Sequence, residues 1–217
     1  MSFCNVPEHA LAIAGSSSWR RGYVLRHLVE SKPDEFTDQE YKELIDATLA
    51  LWTSASGLRT ERVTSSPNLV FKTRRIDGAG GILAEAQLPP PDAGPNVILS
   101  CWMDVGEQWV NATNPAGRMM DAYRVLGHEE GHLFGLGHES RGRALMNPTI
   151  SEIRSLTDLD IEEIVRRYGD PSTTPPPGGE TPCEALLRGL PCLETEASQK
   201  TMMKAWELAK KAMGMRE

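Results

Sequence analysis

A chain of 217 residues with 40% apolar side chains is long enough for one domain with a sizeable core and a small appendage. Its formal charge of −7, with no basic stripe, excludes a nucleic-acid surface, because phosphate binding needs clustered Lys and Arg. No apolar run approaches the ~18 residues that span a bilayer, and the first ten residues lack the charged and apolar regions of an export signal.

Residues 1–18, with Pro7, Gly15 and the serine run 16–18, read as a pro-segment or flexible arm. Residues 23–29 make a first strand. The capping box T-D-Q-E from Thr37 to Glu40, followed by Leu44, Ile45, Leu49 and Trp52 at helical spacing, predicts a helix packed on a sheet. Strand-like runs follow at 58–63, 68–73, 81–88 and 96–103, separated by Pro, Gly, Asn and Asp. A second helix is expected over about 117–134, and a third starts at another capping box, Thr157 with Asp160, and runs to Tyr168. The Pro- and Gly-rich stretch 170–182 is a linker by composition. Beyond it, Met202, Met203, Trp206, Leu208 and Ala209 stand among Lys and Glu as an amphipathic helix over 195–213, which either docks a partner or folds back. Cys183 and Cys192 are placed for a local disulfide or remain two thiols, and Cys101 in N-V-I-L-S-C-W-M reads as a buried free thiol.

The segment 128–138, H-E-E-G-H-L-F-G-L-G-H, holds three of the five histidines. On a helix, positions i and i+4 share a face one turn apart, so His128 and His132 present two imidazoles to one metal. In a continued helix His138 would lie ~9 Å beyond His132. Gly135 removes that obstacle, since glycine adopts the left-handed conformation that ends a helix and turns the chain back, and His138 becomes a third ligand. Three neutral imidazoles leave a fourth tetrahedral position for water, whose pKa zinc lowers towards ~7, and Glu129 stands ready to take the proton.

The extended pattern H-E-x-x-H-x-x-G-x-x-H fixes five positions and is joined downstream by Met146 in A-L-M-N-P, as in metzincins. The segments W-R-R-G-Y-V-L-R from Trp19, G-E-Q-W ending at Trp109, and L-T-D-L-D-I-E-E-I-V-R-R-Y-G over 156–169 extend the likeness to about 150 residues in several blocks. Together these resemble the matrixins, the matrix-metalloproteinase-like branch of the metzincins. The resemblance implies an α+β catalytic domain over 19–169, a twisted mixed five-stranded sheet with three helices. A small helical extension over 183–217 would follow the linker.

It further implies a secreted zinc endopeptidase acting on protein or peptide substrates, with His128, His132 and His138 on zinc, Glu129 as catalytic base, and Met146 beneath the metal. G-I-L-A-E-A, with Leu83 and Ala84, matches the edge strand that binds substrate as an added β-strand. Pro148, Thr149 and Ile150 stand where the family walls its main specificity pocket, without the usual tyrosines. Asp77, Gly78, Gly80, Asp104 and Glu107 align with a calcium site. The ligand positions of the family's second, structural zinc correspond to Val70, Glu85 and Trp102, so that ion is expected to be absent, with apolar packing in its place. C-N-V-P-E, Cys4 to Glu8, resembles the cysteine-switch motif, with Asn5 replacing its glycine, and offers Cys4 as a latent-state zinc ligand; the other reading is an ordinary thiol on a flexible arm. A different class, a catalytically weak zinc-binding or adhesion module that uses the edge-strand groove, is disfavoured by Glu129, which a pure binding site does not need.

Overall fold

A computed structural model describes residues 17–171 and the backbone of Phe3 and Cys4. The 195–213 helix, Cys183, Cys192 and most of the linker lie outside the described residues.

The elements run β1 (Phe3–Cys4), β2 (Val24–Val29), α1 (Asp38–Ser56), β3 (Arg59–Arg62), β4 (Leu69–Arg74), β5 (Ile82–Ala86), β6 (Leu99–Asp104), β7 (Gln108–Val110), β8 (Met119–Asp121), α2 (Ala122–Leu133) and α3 (Asp158–Tyr168). The main sheet has the order β5-β6-β4-β2-β3, parallel except for β5, which runs antiparallel to β6 at the edge. This is the mixed five-stranded sheet with three helices that the resemblance implies. Two residues of β1 extend it, pairing parallel with the outer side of β5 through Phe3↔Ile82 and Cys4↔Ala84.

Both expected capping boxes form. Thr37 and Glu40 satisfy each other's backbone donors at the start of α1, and Thr157 and Asp160 do so at α3. The buried stripe of α1, Tyr41, Leu44, Ile45, Leu49 and Trp52, packs on the sheet and on α2, where the Trp52 indole Nε1 donates to the Gly127 carbonyl at 2.7 Å. Burying that N–H with a partner is what permits a tryptophan at the helix–helix contact. Cys101 is a buried free thiol, as its apolar run predicts.

Two boundaries differ from the sequence reading. The second helix starts at Ala122, not near Gly117, because Met119–Asp121 pairs in parallel with Gln108–Val110 and Asp121 then caps the helix by accepting from Tyr123 N. Gly117 itself takes a left-handed φ of 60°, incompatible with a helix start there. The N-terminal arm ends earlier than residue 18, since Ser17 is fully buried and its carbonyl accepts from Arg167 Nη1. Just after it, Trp19 Nε1 donates to the Leu133 carbonyl at 2.7 Å and Trp19 N donates to the Tyr168 hydroxyl at 3.0 Å. These bonds bind the first folded residues to the ends of α2 and α3.

Candidate metal centre

One turn of α2 carries most of the site. His128 and His132 share a face, and the chain then reverses at Gly135, φ 97°, where Gly135 N donates to the His132 carbonyl at 2.8 Å and Leu136 N to the Gly131 carbonyl at 2.9 Å. A side chain at Gly135 would also place its Cβ 2.5 Å from the Ser17 carbonyl oxygen, so both conformation and space require glycine. The reversal brings His138 back to the other two. Ring centroids of the three histidines lie 4.9–5.4 Å apart.

Among the described residues they form the only group of three or more His, Cys, Asp or Glu whose ligand atoms all lie within 4.8 Å of one another. A tetrahedral zinc with Zn–N bonds near 2.0–2.1 Å needs nitrogens roughly 3.4 Å apart, a spacing such a cluster can supply. His128 Nδ1 lies 2.7 Å from the Leu145 carbonyl and His132 Nδ1 lies 2.8 Å from the Leu136 carbonyl. A carbonyl only accepts, so each Nδ1 carries the proton and each Nε2 keeps its lone pair for a metal. The Nε2 atoms of His128 and His138 are buried and have no hydrogen-bond partner, a costly arrangement that a bound cation would relieve.

Burial moves the charges in the same direction. Desolvation pushes His128 down to about 4, and burial with neighbouring imidazoles holds His132 well below its ordinary value. His138 is lowered by burial alone. All three are therefore neutral near pH 7, the form that binds metal. Glu129, beside His128, is fully buried.

Met146 lies beneath this turn of the helix, 1% exposed, with its Sδ facing Gly131 between the two helical ligands. Asp160 holds it there, accepting from Leu145 N at 2.9 Å and Met146 N at 3.0 Å while also closing the α3 capping box. This second duty of Asp160 escapes a sequence reading, because a capping box has the same local signature with or without it. Glu130 also escapes it. Its carboxyl faces away from the metal ligands into the α1 contact, accepts from Thr48 Oγ1 at 2.8 Å, and is pushed well above the usual carboxylate range by burial.

The remaining candidate residues separate into three places. Leu83 and Ala84 on β5 are buried. Pro148, Thr149 and Ile150 follow the Met146 turn, half-buried, with Ile150 against the core. In the third place, Asp104 Oδ2 accepts from Asp77 N at 3.0 Å and Gly78 N at 2.8 Å, and Glu107 Oε1 accepts from Gly80 N at 2.6 Å. Five residues of the expected calcium site are thus gathered in one loop cluster.

At the positions of the family's structural zinc, the expectation of apolar packing is corrected. Val70 is buried, but Glu85 forms an ion pair with Arg74, whose guanidinium carbon lies 4.5 Å from the Trp102 ring centroid. Glu85 and Trp102 are register partners on β5 and β6, and Arg74 reaches them from β4. An aromatic face and a carboxylate together hold a cation where apolar side chains were expected.

The fold and this three-histidine centre on a helix–turn, with a methionine turn below, define a domain of the metzincin fold. The family model of the matrixins matches residues 18–169, and the chain belongs to that family. It is similar to stromelysin-1 of Mus musculus, 27% identical over 79% of this chain and 38% of the relative. It is similar to karilysin of Tannerella forsythia, 31% identical over 71% of this chain and 34% of the relative. Metalloendoproteinase 1 of Glycine max is 30% identical over 63% of this chain and 48% of its own length. The chain therefore spans about a third to a half of these curated relatives.

Proposed function

We propose that this chain is a zinc endopeptidase in which His128, His132 and His138 hold the metal and Glu129 is the catalytic base. The observation that carries the reading is the convergence of three neutral imidazoles, His128 and His132 buried and His138 half-buried, with the Nε2 atoms of His128 and His138 orphaned, beside the buried Glu129 carboxyl. Bound zinc supplies Lewis acidity for a peptide carbonyl and acidifies a water. Glu129 takes the proton of the attacking water and returns it to the leaving amine nitrogen. Leu83 and Ala84 offer main-chain groups along the β5 edge, so a peptide lies as an added strand, while Pro148, Thr149 and Ile150 wall the subsite beyond the scissile bond. Asp77, Gly78, Gly80, Asp104 and Glu107 hold calcium when it is present, with carboxylates and loop carbonyls as its oxygen ligands. The substrate is a protein or peptide met outside the cell.

Latency belongs to the same reading. Because β1 occupies the outer edge of β5, residues 3–4 compete with a substrate for the same main-chain groups, which supports a blocking role for the arm that carries Cys4. A Cys4 thiolate on the metal would displace the water.

The purified chain is expected to hold one zinc and to hydrolyse members of a peptide library, with activity lost to a zinc chelator and restored by added zinc. Hydrolysis that survives complete zinc removal, or a second tightly held zinc away from His128, overturns the proposal. For latency, Cys4→Ala and removal of residues 1–16 each raise the activity of the intact chain. Equal activity of the full-length, trimmed and substituted proteins shows that the arm does not block the site.

A further inference from the structure

The segment 149–155 has no regular secondary structure, yet it is tied to the start of α2 by a compact polar cluster. Its centre is Asp121, 3% exposed, whose Oδ2 lies 2.9 Å from Arg124 Nε and 3.1 Å from Arg154 Nε. Arg154 comes from the loop. Its Nη1 donates to Thr113 Oγ1 at 2.8 Å, its Nη2 donates to Asn111 Oδ1 at 2.6 Å, and its guanidinium carbon lies 4.5 Å from the Tyr123 ring centroid. Arg124 completes the tie by donating from Nη1 to the Ser151 carbonyl. A planar guanidinium with several fixed donors suits this role better than an ammonium, because it meets a carboxylate, two side-chain oxygens and an aromatic face at once.

The position of the cluster relates it to the metal centre. Arg124 stands four residues before His128, on the same face of α2 one turn earlier, and it grips the loop at Ser151. The loop leaves the Met146 turn at Asn147, next to the Leu145 carbonyl that orients His128. Residues 148–150 are thus held between two points fixed to α2, the Leu145 carbonyl and the Asp121 cluster. Ile150 and Ile153 pack against the core, but apolar contacts alone are non-directional and do not set how far the loop stands from the helix. The hydrogen bonds of Arg154 to Thr113 and Asn111, and of Arg124 to Asp121 and Ser151, are directional and do so.

We propose that Arg154 is a positioning residue that latches the 149–155 loop to the N-terminus of α2 and thereby limits the size of the substrate side chain accepted beside the metal; this rests on the endopeptidase reading above. With the latch closed, Pro148, Thr149 and Ile150 cannot retreat, and a bulky side chain meets a fixed wall. Without it the wall yields.

The test uses the full chain loaded with zinc and a set of peptides that differ only at the residue following the scissile bond, from alanine to a large aromatic. The parent favours the smaller side chains. In Arg154→Ala the kcat/KM ratio of large to small rises by about tenfold, the range set by a few methylene-sized contacts, with most of the change in KM. Arg154→Lys, which keeps the charge but loses the fork, does not restore the parent ratio. If Arg154→Ala folds poorly, Asn111→Ala combined with Thr113→Ala removes two tethers while leaving Asp121 paired, and produces a smaller shift in the same direction. An unchanged ratio in these variants, even with a lowered melting temperature, makes Arg154 a structural tie only and overturns the latch. Should the parent cleave none of the peptides, the endopeptidase reading fails, and the same peptides titrated as ligands of the zinc-loaded parent and Arg154→Ala proteins decide the latch by their affinity ratios.

Discussion

Glu129→Gln is expected to lose peptide hydrolysis and to keep its zinc. Glutamine matches the volume and shape of glutamate, so the fully buried position neither opens a cavity nor changes the packing of α2. What disappears is the ability to accept a proton, a contribution of about 10²–10⁴ in rate for a positioned general base. The three imidazoles are untouched, and zinc content measured on the purified variant stays at the parent value. The neighbouring acid supplies a control within the same helix. Burial pushes Glu130 well above the usual carboxylate range, and one of its oxygens accepts from Thr48 Oγ1. The amide oxygen of a glutamine introduced there can accept the same bond, so Glu130→Gln changes hydrolysis by less than about tenfold. A Glu129→Gln protein that cleaves within a few-fold of the parent sinks the assignment of the base.

The contrast between these adjacent acids shows what the sequence carries and what it withholds. The His128, His132, Gly135, His138 spacing is legible because each step is local: one helical turn, one left-handed residue, one short return. The capping boxes at Thr37 and Thr157 are legible for the same reason. Glu130 has no such signature. Only the approach of α1, fixed by Thr48 and Trp52, decides that the second acid of H-E-E is buried in a helix contact. The start of α2 is hidden because Met119–Asp121 finds its partner strand eleven residues upstream, a pairing that no local propensity encodes. Arg74, Glu85 and Trp102 come from three strands, and their contact depends on the register of β4, β6 and β5. Asp121 with Arg154 is the same kind of case, joining residues 33 apart through a loop with no period to read.

Two glycines in the same helix are expected to give opposite results when replaced by alanine. By intrinsic propensity both changes favour the helix, by up to about 1 kcal/mol. At Gly127 a Cβ would lie 3.4 Å from Leu145 Cδ2 and 3.5 Å from Leu51 Cδ1, ordinary contacts with the ends of two flexible side chains. Gly127→Ala is therefore expected to fold with unchanged or slightly raised stability and to keep its zinc. At Gly131 the same atom would lie 2.2 Å from Met146 Sδ and 2.7 Å from Trp52 Cζ2. Both neighbours are buried. Trp52 is fully buried and anchored through its indole N–H to the Gly127 carbonyl, and the Met146 backbone is held by Asp160. Overpacking of this kind costs typically about 1–3 kcal/mol and sometimes more, exceeding the propensity gain. The displacement also falls between His128 and His132, so relief by moving Met146 or α1 disturbs the seat of the metal. Gly131→Ala is expected to lower stability by about 2 kcal/mol or more and to weaken zinc retention, both read from denaturant unfolding of the zinc-loaded and zinc-free proteins. A Gly131→Ala protein as stable as Gly127→Ala, with zinc retained, would mean that the contact between α1, α2 and the Met146 turn is looser than these distances state.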